Sequence, residues 1–198
     1  MIPIIKQGTR ILRPSECKKI IDQIPKLEHE TMFKMLLYSG MRYVEVKRLY
    51  DHDNKCPKNE RWFDRESGFI KLGKMAVKKE RIVQKERWVR LNMAGKTVVP
   101  YFLNLPKNLP SNVTWRENLR RWARQVGLDP IGLCPKTSRK TYESWLIYYY
   151  MSSADNPITV MVAQSQGHTK TIQLEHYLNM PFTHEDKAGM KEFCEGWI

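Results

Sequence analysis

Tyr177 lies in the stretch Gln166-Gly167-His168-Thr169-Lys170-Thr171-Ile172-Gln173-Leu174-Glu175-His176-Tyr177-Leu178. Two roles compete for it. Leu174, Tyr177 and Leu178 fall at i, i+3 and i+4, one stripe of an amphipathic helix, where an aromatic ring ordinarily packs into a core. The other role is that of a nucleophile. A phenol with a pKa near 10 is a weak nucleophile at neutral pH and needs cations around it. The rest of the chain offers them: Arg42, with Glu45 one helical turn away to hold it; Arg139 close to Lys136; His168; and a lysine-rich stretch between Gly73 and Glu86 that contains Lys74, Lys78, Lys79 and Lys85.

Three stretches carry a resemblance. Tyr38-Ser39-Gly40-Met41-Arg42-Tyr43-Val44-Glu45-Val46-Lys47-Arg48-Leu49 resembles a motif that reads T-G-hydrophobic-R-x-x-E-hydrophobic-x-x-L. Lys136-Thr137-Ser138-Arg139-Lys140-Thr141-Tyr142 resembles H-x-x-R-H-T. Gly167-His168, followed nine residues later by Tyr177, resembles an L-G-H … Y ending. These are the motifs of the tyrosine recombinases, the phage integrase family, in the family's order and spacing. The resemblance covers about residues 12 to 180. Each motif alone is weak, and the combination is specific.

The chemistry follows from what a phosphodiester needs in order to be cut without a metal. A nucleophile must lie in line with the leaving oxygen, cations must stabilise the equatorial oxygens, and an acid must protonate the departing 5′ oxygen. Arginine suits the second task because its planar fork gives phosphate two aligned donors and stays charged. The resemblance implies that Arg42 and Arg139 fill that role, that His168 donates a hydrogen bond to the scissile phosphate, and that Tyr177 attacks to give a 3′-phosphotyrosyl intermediate. It also implies a catalytic lysine in or beside the last turn of a small sheet. Lys85, just before Glu86-Arg87, is favoured; Lys74, after Gly73, is the alternative, and Lys78 and Lys79 are weaker candidates. Lys136 stands where the family has histidine. It can donate to a phosphate oxygen but is a poor base near neutral pH. Archaeal members share this variant, which suggests an archaeal or archaeal-virus source. His176, adjacent to Tyr177, faces elsewhere on a helix and is read as structural or DNA-facing.

Composition agrees with a polyanion partner. Among 198 residues, 34 Lys and Arg against 21 Asp and Glu leave a net charge of +13. A chain this basic binds nucleic acid more readily than acidic or neutral partners. Aromatic residues are interleaved with the charge in Arg120-Arg121-Trp122-Ala123-Arg124 and Lys85-Glu86-Arg87-Trp88, which suits a folded surface rather than a disordered basic tail. Cys17, Cys56, Cys134 and Cys194 are widely spaced, without a C-x-x-C pair, and imply neither a zinc ribbon nor a disulfide framework. No G-x-x-x-x-G-K-[ST] loop or magnesium-type carboxylate cluster stands out, so no cofactor and no metal are expected. The resemblance implies that the phosphotyrosine bond would conserve the energy of the broken linkage, so that religation requires neither ATP nor metal. No apolar run approaches 18 residues and no signal peptide is evident, so a cytoplasmic, membrane-free protein is expected.

The elements that would position these residues are mostly helical. Residues 1–13 read as an irregular or extended lead-in. Helices are expected over Pro14–Ile24, 29–39, Arg42 to about Tyr50, Val113–Val126, Thr141–Met151 and Ile158–Ser165, followed by the Tyr177 helix. Residues 51–60 are turn-rich. Trp62-Phe63, Gly68–Leu72 and Arg87–Leu91 are strand candidates. Val98–Pro110 reads as a proline-containing link with a buried Tyr101-Phe102-Leu103 patch. The expected fold is therefore mainly α (α+β): one catalytic domain over 1–198 with a small three-stranded antiparallel sheet.

Only about 41 residues precede Arg42, too few for the family's N-terminal DNA-clamping domain. The chain then reads as an excised domain, a split-gene product or a minimal enzyme. Phe193 and Trp197, in the tail 181–198, need burial, either on their own domain or exchanged onto a neighbouring protomer. The expected function is site-specific recombination of double-stranded DNA by a homo-oligomer, dimer to tetramer. The alternatives are type IB topoisomerase-like cleavage or a catalytically impaired DNA-binding module.

Overall fold

The computed structural model describes residues 2–73, 76, 86–106, 109–150, 157–167 and 180–198. Its described elements, in chain order, are β1 (Ile4–Lys6), β2 (Thr9–Ile11), α1 (Pro14–Gln23), α2 (Leu27–Ser39), α3 (Tyr43–Asp53), a 3₁₀ turn (Lys58–Glu60), β3 (Phe63–Asp64), β4 (Phe69–Leu72), β5 (Arg87–Arg90), α4 (Met93–Leu103), α5 (Asn112–Gln125), α6 (Thr137–Tyr150), α7 (Pro157–Gln166) and α8 (His184–Cys194). The fold is mainly helical with a small antiparallel sheet, β3-β4-β5, and a separate two-stranded ribbon, β1-β2.

Helices α2 and α6 form the centre. Helix α2 packs on α4 and α6, while α6 also contacts α7, α8 and β2. Phe33, Leu36, Leu37, Tyr142, Trp145 and Leu146 are all buried there. The amphipathic stripe of α5 behaves as its spacing requires: Trp115, Leu119 and Trp122 are buried, and Gly127, just past its end, takes φ +72°. In the sheet, Ile70 and Leu72 of β4 and Arg87 and Val89 of β5 point inward, while Lys71 and Trp88 point out.

Several boundaries differ from the sequence expectation. The lead-in is a β-hairpin whose Ile11 and Leu12 are fully buried, and Trp145 Nε1 donates to the Leu12 carbonyl at 2.9 Å. Helix α3 runs on to Asp53, and α6 begins at Thr137, so Arg139 sits in its first turn. The first part of the link expected over Val98–Pro110, as far as Leu103, belongs to helix α4. Its start is capped by Asn92, whose Oδ1 accepts from Gly95 N–H at 2.8 Å while its Nδ2 donates to the Phe193 carbonyl at 2.7 Å. Pro100 sits inside this helix. Burial of Val99, Phe102 and Leu103 outweighs the backbone hydrogen bond that proline forfeits. Tyr101, expected in that buried patch, is 69 % exposed because it lies on the opposite face.

The tail closes on its own domain. Helix α8 packs on α6 and α1, Phe193 lies against Tyr38 and Trp145, and Trp197 is buried with its Nε1 donating to the Arg90 carbonyl at 3.2 Å. Arg13, at the start of α1, pairs with Asp186 in the first turn of α8.

Candidate functional site

Arg42 is the N-cap residue of α3, with extended backbone. Its side chain has no acceptor, so it cannot complete a capping box. Glu45, three residues on, supplies the other half: Oε2 accepts the Arg42 backbone N–H at 2.8 Å and Oε1 accepts Arg42 Nη1 at 2.8 Å. The one-turn spacing read from the sequence therefore corresponds to a real contact. Glu45 is fully buried, whereas the Arg42 side chain keeps 29 % of its surface.

The same carboxylate receives a second arginine. Arg87, at the start of β5, donates Nη2 to Glu45 Oε2 and Nη1 to the Ser165 carbonyl at 2.7 Å. Arg139 donates Nη1 to the Gly40 carbonyl at 2.9 Å, across 99 residues of chain, and Nη2 to the Gln166 carbonyl. Gln166 Nε2 reaches the Ser39 carbonyl at 3.4 Å. The last carbonyls of α7 thus accept two guanidinium groups, where the negative end of a helix favours cations. Two left-handed glycines make this closure possible. Gly40, at φ +56°, ends α2, and a Cβ built there would lie 2.3 Å from the Gln166 amide. Gly167, at φ +71°, follows the last residue of α7.

The electrostatics follow from this crowding. Burial by itself would raise the Glu45 carboxyl, but Arg87, Arg139 and Arg42, together with the Arg42 N–H, outweigh it and hold the carboxyl below its ordinary range. Burial pulls the Arg87 guanidinium down to about 10, against the opposing pull of Glu45, so it stays charged at neutral pH. The arrangement gathers guanidinium groups at the start of α3, in β5 and in α6 around one carboxylate. Arg87 and Arg139 are buried on Glu45 and backbone carbonyls, and Arg42, the most solvent-accessible of the three, can offer its fork to an anion of phosphate geometry.

Of the residues singled out in the sequence, Arg42, Glu45 and Arg139 are brought together here. Lys136 is exposed in the turn that opens α6, and among the described residues no hydrogen bond joins its amine to the cluster. Lys74, Lys78, Lys79 and Lys85, all in the segment connecting β4 to β5, lie outside the described residues, as do His168, His176 and Tyr177.

Arg87 was missed as a site residue. Its signal was present in the alternation of Arg87-Trp88-Val89-Arg90-Leu91: an arginine in phase with Val89 and Leu91 faces the core and needs a buried acid. The surface reading of the interleaved aromatics needs dividing. Trp122 is fully buried between exposed Arg121 and Arg124, whereas Trp88 is 53 % exposed beside Lys71. Comparison with protein-family models and with curated proteins finds no match.

Proposed function

We propose that this chain is the catalytic domain of a tyrosine-type DNA strand transferase, a recombinase or integrase acting on double-stranded DNA. The observation that carries the reading is the junction of two distant motif arginines. Arg42 and Arg139 both act on the buried Glu45, Arg42 by a direct ion pair and Arg139 through its charge. Arg139 is itself buried on the carbonyls that end α2 and α7, donating to those of Gly40 and Gln166. In this reading the cluster grips the scissile phosphate, Tyr177 attacks it, and Lys85 or Lys74 protonates the 5′ oxygen. The 5′ hydroxyl of a partner strand reverses the reaction within a dimer or tetramer. The net charge of +13 supports the DNA partner.

The test is incubation with a nicked "suicide" duplex that traps a covalent 3′ adduct. Wild-type protein should form the adduct, and Tyr177→Phe should bind duplex equally well and form none. An adduct that persists in Tyr177→Phe refutes the assignment. Relaxation of supercoiled DNA without strand exchange would move the protein to the topoisomerase side of the same chemistry.

A second reading, a DNA-binding module that does not cut, is favoured by one observation: Lys136 replaces the family's histidine and sits exposed, with no hydrogen bond to the cluster among the described residues. Duplex binding by the wild type without any adduct would select it.

A further inference from the structure

We propose that His52, Asp53 and Cys56 form a binding site for one divalent cation of the zinc class, at the opposite end of α3 from the arginine cluster. His52 Nδ1 lies 2.9 Å from Asp53 Oδ1 and 3.5 Å from Cys56 Sγ, and the three donor atoms all lie within 4.8 Å of one another. A tetrahedral ion with bonds of about 2.0–2.3 Å holds its ligands roughly 3.3–3.7 Å apart, a spacing inside the 4.8 Å span of these three donor atoms, so local side-chain adjustment converts this cluster into a coordination shell.

The chain builds the cluster in two steps. Beyond the end of α3, the Lys55 and Cys56 N–H groups both return to the His52 carbonyl, at 2.9 and 3.0 Å, and this tight turn folds the thiol back over the imidazole. Asp53, fully buried, is then oriented by the strand that follows. Its two oxygens accept the N–H groups of Trp62 and Phe63 at 2.9 and 3.1 Å. Each carboxylate oxygen has two lone pairs, and Oδ1 regains one for a metal when the ion takes the place of its hydrogen bond from the imidazole. The Trp62 ring stacks on the His52 ring at 4.1 Å and 16°, which fixes the imidazole plane. Outer contacts of this kind are what a ligand set needs to be held in place before the ion arrives.

Donor chemistry selects the ion. A thiolate with an imidazole and one carboxylate suits zinc or cobalt and is a poor match for magnesium or calcium, which favour all-oxygen shells. On binding, the Cys56 thiol loses its proton to solvent as the S–metal bond forms. The His52 proton moves from Nδ1 to Nε2, so that the Nδ1 lone pair faces the ion, and no electron is transferred. Cys56 is only half-buried, so a water can complete the fourth position. The competing role is purely structural: Asp53 tethers α3 to β3, and the thiol is idle.

Titration of the full chain with Co²⁺ separates the two. The site predicts one equivalent bound, a thiolate-to-cobalt charge-transfer band, and displacement by Zn²⁺. Cys56→Ser should abolish that band, His52→Ala should weaken binding at least tenfold, and Cys134→Ser should change neither. In a second measurement, on wild-type protein, Zn²⁺ should slow alkylation of Cys56 as read by mass spectrometry. Absence of the band at excess Co²⁺, its survival in Cys56→Ser, or an unchanged Cys56 alkylation rate overturns the proposal. None of these readouts depends on DNA cleavage.

Discussion

Replacing Glu45 by Gln keeps the shape of the side chain and removes its charge. The structure sets the size of the effect. Glu45 has no exposed side-chain surface and Arg87 only 2 %, so the substitution leaves a buried guanidinium beside a neutral amide. Breaking a buried ion pair by neutralising one partner costs about 3–5 kcal/mol. In a chain of this size each kcal/mol shifts the melting temperature by about 2–4 °C, so Glu45→Gln should melt on the order of 10 °C below wild type at pH 7.

The pH dependence follows from the depressed carboxyl. The unfolded-state pKa of a glutamate is about 4.3 and the folded value is lower. The contribution is therefore fully present above the unfolded value and is lost as pH falls through the folded one. The gap between wild type and Glu45→Gln should stay constant between pH 6 and 8 and narrow below about pH 4. Thermal unfolding followed by far-ultraviolet circular dichroism at a series of pH values measures both effects. The double variant Glu45→Leu/Arg87→Met, which removes the most deeply buried charge together with its partner, should recover part of the loss, the remainder reflecting Arg139 and Arg42 left without the carboxylate. A Glu45→Gln variant that melts within 2 °C of wild type at pH 7, or a gap that widens in acid, would refute the reasoning.

The other predictions are simpler. Gly40→Ala places a Cβ at φ +56° and against the Gln166 amide, so it should lower stability by at least ~1–2 kcal/mol, checked by urea unfolding, while Gly127→Ala, with open space around it, should be milder. If six or more phosphates are contacted, duplex affinity should fall with a slope of log K on log salt of about −5 or steeper; a slope near −1 would mean that the charge serves solubility. Arg139→Ala should slow adduct formation by roughly 100-fold or more, the scale for one preorganised donor. Lys85→Ala should be nearly inactive on ordinary DNA and largely restored on a substrate with a bridging 5′ sulfur, whose thiolate leaves without a proton. Rescue of Lys74→Ala instead would move the acid to Lys74.

Local patterns carried much of the fold. The stripe of Trp115, Leu119 and Trp122, the alternation in β5 and the glycine after α2 act within one or two turns of chain, which is the range over which periodicity and capping operate. The Arg42–Glu45 contact was legible for the same reason. What the tertiary structure decided lies beyond that range. Helix α4 survives Pro100 because its apolar face is buried against α2, a partner that no local window contains. Arg87 became part of the site only when β5 turned its face to Glu45, and Asp53 became a tether only when β3 brought two N–H groups to it. Arg139 meets the Gly40 carbonyl across 99 residues, a closure set by the packing of α2, α6 and α7. Burial turns such contacts from optional to obligatory: a charge or polar group removed from water must find its partner wherever the fold puts one.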